Sequence, residues 1–197
     1  MKYIVIGFAA LAALSQPVLA QENSETGEPT SRDGFRLEAR AIYETPTVSS
    51  VIDDDDVFKL GSAFAFGGEA GFDLAVSDSV VVGPYVNYEL SNVESCDGID
   101  CVRAKNNLAT GLHVGYALNA DGQLYGKVGY SRLKLEAEAL GTKISESGSG
   151  VGFAVGYEHG FGENMYGRLE FGYADNGDIF GINFQRRHAG VALGARF

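Results

Sequence analysis

The chain has 197 residues, a formal charge of −11, 27 glycines, 12 Phe, 10 Tyr, no Trp and only 4 prolines. That length suits one domain, and the acidity argues against a nucleic-acid binder, which needs a basic footprint. Abundant glycine and aromatic residues fit short strands of a barrel or sandwich better than a helical protein.

Met1 to Ala20 carries Lys2, an apolar run from Tyr3 to Leu14, and then Ser15-Gln16-Pro17-Val18-Leu19-Ala20. A basic start, a short apolar run, a breaker and a small final residue read as a secretory signal peptide over 1–20. The run is too short to span a bilayer as a helix, and nothing after Ala20 reaches that length. Loss of Lys2 with this segment takes the charge from −11 to −12. Residues 21–33 are polar, with Glu22, Glu25, Glu28 and Pro29, and read as a flexible leader before a domain over 34–197.

From Gly34 onward the sequence alternates with period 2. The first strand, Gly34 to Tyr43, sets Phe35, Leu37, Ala39, Ala41 and Tyr43 against Arg36, Glu38 and Arg40. A polar segment, Glu44 to Gly61, follows and contains Asp53 to Asp56. The second strand, Ser62 to Val76, opposes Phe64, Phe66, Ala70, Phe72 and Leu74 to Gly67, Glu69, Gly71 and Asp73. After the turn Ser77-Asp78-Ser79, the third strand, Val80 to Leu90, places Val82, Val86, Tyr88 and Leu90 opposite Tyr85, Asn87 and Glu89. Its Pro84 cannot donate to a ladder. Ser91 to Asn106 is a second long segment and holds both cysteines.

The fourth strand, Asn107 to Leu118, leads through Asp121-Gly122, a strong hairpin signal, to a fifth that starts at Leu124. Around Ser131 and Arg132 the apolar positions shift to Leu133 and Leu135. That predicts either a bulge or a strand leaving the membrane. Ala137 to Ser149 reads as a third long loop. The sixth strand, Gly150 to Glu158, the short turn Phe161-Gly162-Glu163-Asn164, and the seventh strand, Met165 to Tyr173, follow. Ala174 to Arg186 reads as a fourth long loop, and the eighth strand is Arg187 to Phe197.

Three short and four long connections alternate, so all short ones fall at one end. An even strand count, both termini at the short-turn end and strands long enough to cross at a tilt predict an all-β, eight-stranded antiparallel up-and-down transmembrane barrel. A lipocalin also has eight strands, but it is polar outside and apolar inside. The polar faces hold Arg36, Glu38, Arg40, Glu69, Asp73, Glu89, Lys127, Glu158, Arg168, Glu170 and Arg196. Five are positive and six negative. Charges in a narrow interior must be paired, and eight strands enclose only enough room for their own side chains. A plugged, ion-paired lumen is therefore favoured over a wide channel.

The chain resembles the small outer-membrane β-barrel family that includes OmpA-like transmembrane domains and opacity-type surface proteins. The residues that carry the resemblance are the segment ending VLAQ, GPYVNYEL at Gly83 to Leu90, GENMYGRLEFGY at Gly162 to Tyr173 and GVALGARF at Gly190 to Phe197. Ala195 departs from the bulky residue often third from the end, and Tyr and Phe must serve as girdle residues in place of Trp. The resemblance implies a Gram-negative outer membrane, contact with its lipid and lipopolysaccharide, periplasmic termini, and Phe197 as the signal read by the barrel assembly machinery. A monomer is expected. No peptidoglycan-binding segment is seen after Phe197, so cell-wall anchoring is not expected.

Cys96 and Cys101 are expected to close a small disulfide ring in an external loop. A metal on these cysteines with Asp97 and Asp100 lacks a histidine or further cysteine to complete four ligands. Asp53 to Asp56 lacks the spaced ligands and turn glycine of a calcium loop. His113, His159 and His188 are each without a serine two residues on. The His-x-Ser pair of outer-membrane lipid A hydrolases is thus missing, and His113 and His188 read as lumen residues. No catalytic residue, cofactor or metal is expected. The favoured reading is a structural or surface-interaction barrel acting through its long loops on an external ligand. A narrow porin-like channel is the alternative, and a lipid-modifying enzyme is less favoured.

Overall fold

The computed structural model describes residues 32–49 and 57–197. The expected signal peptide, the leader before Arg32 and the run Asp53 to Asp56 lie outside the described residues. The strands are β1 (Gly34–Ser49), β2 (Val57–Lys59), β3 (Ala63–Ser77), β4 (Val80–Ser91), β5 (Glu94–Asp97), β6 (Asp100–Ala117), β7 (Gly122–Ala139), β8 (Thr142–Phe161), β9 (Met165–Ile179) and β10 (Ile182–Arg196). Eight of them form an antiparallel ring in the order β1, β3, β4, β6, β7, β8, β9, β10, and β10 pairs back onto β1. The closing register sets Arg36 opposite Arg196 and Tyr43 opposite Ala189. The two short strands are additions at the long end: β2 pairs with the last residues of β1, and β5 with the first residues of β6.

Polarity is inverted relative to a protein in water. Phe35, Leu37, Phe64, Phe72, Leu112, Phe153, Leu169 and Leu193 are all exposed on the outer wall, while Arg36, Glu69, Glu89, Lys127 and Arg168 are buried inside. A continuous apolar outer band marks a membrane surface. A closed sheet is one of the two structures whose backbone can cross hydrocarbon fully paired.

Two sequence expectations are corrected. The third and fourth long loops are not loops. β7 and β8 remain paired to Ala139 and Thr142, and β9 and β10 to Ile179 and Ile182. Each hairpin ends in a two-residue turn, Leu140-Gly141 and Phe180-Gly181, with all four residues at positive φ, the form that matches strand twist.

The apparent phase change near Ser131 is not a bulge in β7, which pairs without interruption from Gly122 to Ala139 with β8. Ser131, Leu133 and Leu135 all point inward, and Arg132 and Lys134 point out. The face stays the same and the solvent changes, because the strand has left the membrane. Above that level Val93, Ala104, Leu133, Leu135, Ile179 and Phe184 form an apolar core inside the barrel. The bulge lies instead in the partner strand, between Ala104 and Asn106 of β6. It moves the inward parity from even to odd, so that Ala104 and Asn107 both face in.

Candidate functional site

The barrel interior holds the chain's dense chemistry. Alternation brings every second residue of each wall strand inward, and charged residues occupy one level after another. At the short-turn end, Arg196 reaches Asp73 at 3.3 Å and Glu158 at 3.2 Å. Asp73 also contacts Arg36 at 3.1 Å and His113 at 3.1 Å. Arg168 bridges Glu158 and Glu38, both at 2.5 Å.

One level up, Arg36 joins Glu38 at 2.7 Å to Glu69 at 2.6 Å. Arg40 then binds Glu69 and Glu89 at 3.0 Å each and Glu170 at 2.5 Å. Lys127 spans Glu69 at 2.7 Å and Glu170 at 2.6 Å, and His188 lies 3.4 Å from Glu170. Toward the long end, Arg186 joins Glu89 at 2.7 Å to Glu44, and Ser91 donates to Glu44 as well.

Aromatic side chains fill between these pairs. The Arg168 guanidinium lies 4.5 Å from the Tyr125 ring centre and 5.1 Å from that of Tyr166. The Tyr166 hydroxyl donates to Glu38 and that of Tyr125 to Glu170, both at 3.0 Å. The wall makes room by omitting side chains: a Cβ on Gly71 would stand 2.6 Å from Cζ of Arg36.

All eleven sequence-proposed lumen charges, Asp73 included, lie in this one connected assembly. Glu44 and Arg186 also belong to it, although both fall in segments expected to be polar loops. The missed signal was parity. Glu44 continues the series Arg36, Glu38, Arg40, and Arg186 continues Arg196 back through His188.

Both ends of the interior are covered. At the long end lies the apolar core around Leu133 and Phe184. Just beneath it is a cavity of about 30 Å³ lined by Asn87, Asn107, Ser131 and His188, room for about one or two waters. At the short-turn end, Arg32 crosses below the rim and donates to the carbonyls of Asn119 and Ala120 at 2.7 Å each. A recess of about 120 Å³ remains there between Arg32, Glu158, Tyr166 and Arg196.

Cys96 and Cys101 sit directly opposite each other across the β5–β6 hairpin and are bonded to one another. Their sulfurs and a Glu94 oxygen cluster within 4.8 Å, but disulfide sulfurs have no thiolate to offer a metal. Beside them Arg103 donates to Glu94 at 3.0 Å and to Glu138 at 2.7 Å. The bond from Arg103, with Lys143 nearby, holds the Glu138 carboxyl below its usual range. Phe197 lies on the short-turn rim. Its N–H donates to the Phe35 carbonyl at 2.8 Å, and its carbonyl accepts from the Phe35 N–H at 3.1 Å. Gly34 fits there because its φ is +123° and a Cβ would stand 2.3 Å from the Phe197 oxygen.

A family model described as outer membrane protein beta-barrel domain matches residues 6–197. Among solved structures, the chain is similar to Neisserial surface protein A at 12% identity, with 83% of this chain and 97% of that one covered and a TM-score of 0.59. It is also similar to Ail, the attachment invasion locus protein of Yersinia pestis, at 11% identity, with 82% and 99% covered and a TM-score of 0.53. At these identities the likeness shows the fold. No curated protein matches the chain.

Proposed function

The chain belongs to the outer membrane β-barrel domain family, and on that footing we propose that it is a sealed barrel serving a structural or surface-interaction role through its projecting hairpins. The observation that carries this reading is the unbroken ion-paired filling of the lumen, from Asp73 and Glu158 to Glu44. Within this network each buried Arg, Lys, Asp and Glu meets at least one opposite charge, while Arg32 at the short-turn rim is held by backbone carbonyls. A water path would have to break several of these close pairs and displace the tyrosine rings packed between them.

The short-turn end, with both ends of the barrel sequence, faces the periplasm in this reading, and the hairpins face outward. The first 20 residues are removed on export, and residues 21–33 are a leader. Phe197 is the residue recognised by the assembly machinery. Lipid and lipopolysaccharide surround the apolar band. The role is non-enzymatic, consistent with histidines that contact carboxylates and guanidinium groups in place of a serine nucleophile.

Features of the hairpin tips support an external contact. Ile99 and Leu140 are 71% and 83% exposed, and the Leu140 N–H donates to Asp100, tying the two tips together. Leu140 also holds a φ of +49°, a strained choice for a bulky residue. Ail was crystallised with the heparin analogue sucrose octasulfate. A polyanion suits this acidic chain poorly, so the partner surface is neutral or basic.

Planar-bilayer recording of the purified protein tests the sealed lumen. No reproducible conductance above the lipid baseline is expected. A stable stepwise channel would overturn the reading in favour of a narrow conduit.

A further inference from the structure

On the outer wall, the ladder between β3 and β4 is interrupted for a short distance, although the two backbones stay close. Their ladder is paired at Gly71 with Tyr85 and resumes at Leu74 with Val82. Pro84 lies in the gap and has no N–H to give to a ladder. Gly83 lies there too, where a Cβ would stand 1.7 Å from the Phe72 carbonyl oxygen. Outward-facing neighbours on either side are short, Ala70 on β3 and Thr110 on β6. Between the larger side chains around them they leave a shallow, open groove of about 300 Å³ in the apolar band, lined by Phe35, Ala70, Phe72, Pro84, Val86 and Thr110. The Thr110 hydroxyl is already satisfied, donating to the Tyr85 carbonyl at 2.9 Å.

We propose that this groove is a binding site for one acyl chain of a phospholipid. The groove is continuous with the lipid-facing wall, so hydrocarbon is its solvent. Water there would find no polar partners. A second copy of the barrel fits it poorly, because a twofold contact apposes a patch to itself and two concave surfaces leave a void between them. The groove begins at Phe35, which is bonded to Phe197 at the short-turn rim. Given the orientation proposed above, that end lies in the periplasmic leaflet, where phospholipid and not lipopolysaccharide supplies the chains.

Native mass spectrometry of the full chain in detergent, with palmitoyl-oleoyl phosphatidylethanolamine as probe, tests the site. The wild type is expected to retain one lipid per barrel. Ala70→Phe and Thr110→Phe fill the groove and lower the bound fraction at least tenfold. Val155→Phe, on the lipid-facing side of β8, leaves it unchanged. Heat-modifiable migration on gels identifies folded protein, and if one groove variant fails to fold the other decides. The proposal is overturned if the wild type holds no more lipid than the groove variants or if Val155→Phe loses lipid equally. It is also overturned if lipopolysaccharide binds in preference to phosphatidylethanolamine, or if a barrel dimer is abolished by the groove variants. Conductance is not read in any arm, so these outcomes are independent of the sealed-lumen reading.

Discussion

Arg168 shows how the interior works at the scale of one residue. Its guanidinium is buried, contacts Glu38 and Glu158, and lies over two tyrosine rings. Such an ion is tolerated because the carboxylates beside it would be as costly without it. Arg168→Met removes the cation and leaves two buried carboxylates short of a partner, a change that costs about 3–5 kcal/mol. Urea titration of the protein folded into lipid vesicles reads this directly. Adding Glu158→Gln to the Arg168→Met background is expected to recover part of the loss, since the orphaned charge is then gone. A single variant as stable as the wild type would mean that the network does not hold the interior together.

At the scale of the hairpin, two turns carry the same unusual choice. Leu140 and Phe180 occupy the first position of turns in which both residues have positive φ, where Asn-Gly is the favoured pair. Phe180 packs against the apolar core beneath it, and this gives it a reason to stay. Leu140 is 83% exposed and has no such packing. A bulky residue in this conformation costs roughly 1–2 kcal/mol, and asparagine relieves part of it. Leu140→Asn is therefore expected to slow amide hydrogen exchange at the β7–β8 tip several-fold. Faster exchange would show that the leucine holds the tip in place. These hairpins are also where the sequence was hardest to read. Within the membrane each strand has hydrocarbon on one side and an ionic interior on the other, so alternation is sharp from Phe35 to Tyr43 and from Met165 to Tyr173. Above it the outer face turns polar and the inner face apolar, and Leu133 and Arg132 exchange the roles that Tyr130 and Ser131 have below. A uniform rule then reads a polar loop where a strand continues. Glu44 and Arg186 still face the ionic interior, but their outward neighbours Thr45 and Arg187 are already polar, so only inward parity marks them. Their pairing spans 142 positions in sequence, and strand register, which alternation does not encode, decides it.

For the whole molecule, closure of the ring is the step on which the rest depends. The ionic interior exists only when β10 meets β1, because Arg36 and Arg40 come from one and Arg186 and Arg196 from the other. Sheet edges left open in hydrocarbon carry unpaired backbone groups, each costing several kcal/mol. Phe197 stands at the end of that seam, with its two backbone bonds to Phe35 and its ring centre 6.5 Å from the Phe35 ring. The residue is 72% exposed, so it adds little packing to the finished barrel. That pairing of a modest structural contribution with a terminal, outward-facing aromatic separates two roles by experiment. Deleting Phe197 is expected to lower heat-modifiable, membrane-inserted protein in cells several-fold. The same variant is expected to fold into lipid vesicles nearly as well as the wild type, where no machinery reads the terminal strand. Equal losses in both settings would assign Phe197 to closing the seam. Normal assembly in cells would remove it from the assembly signal altogether.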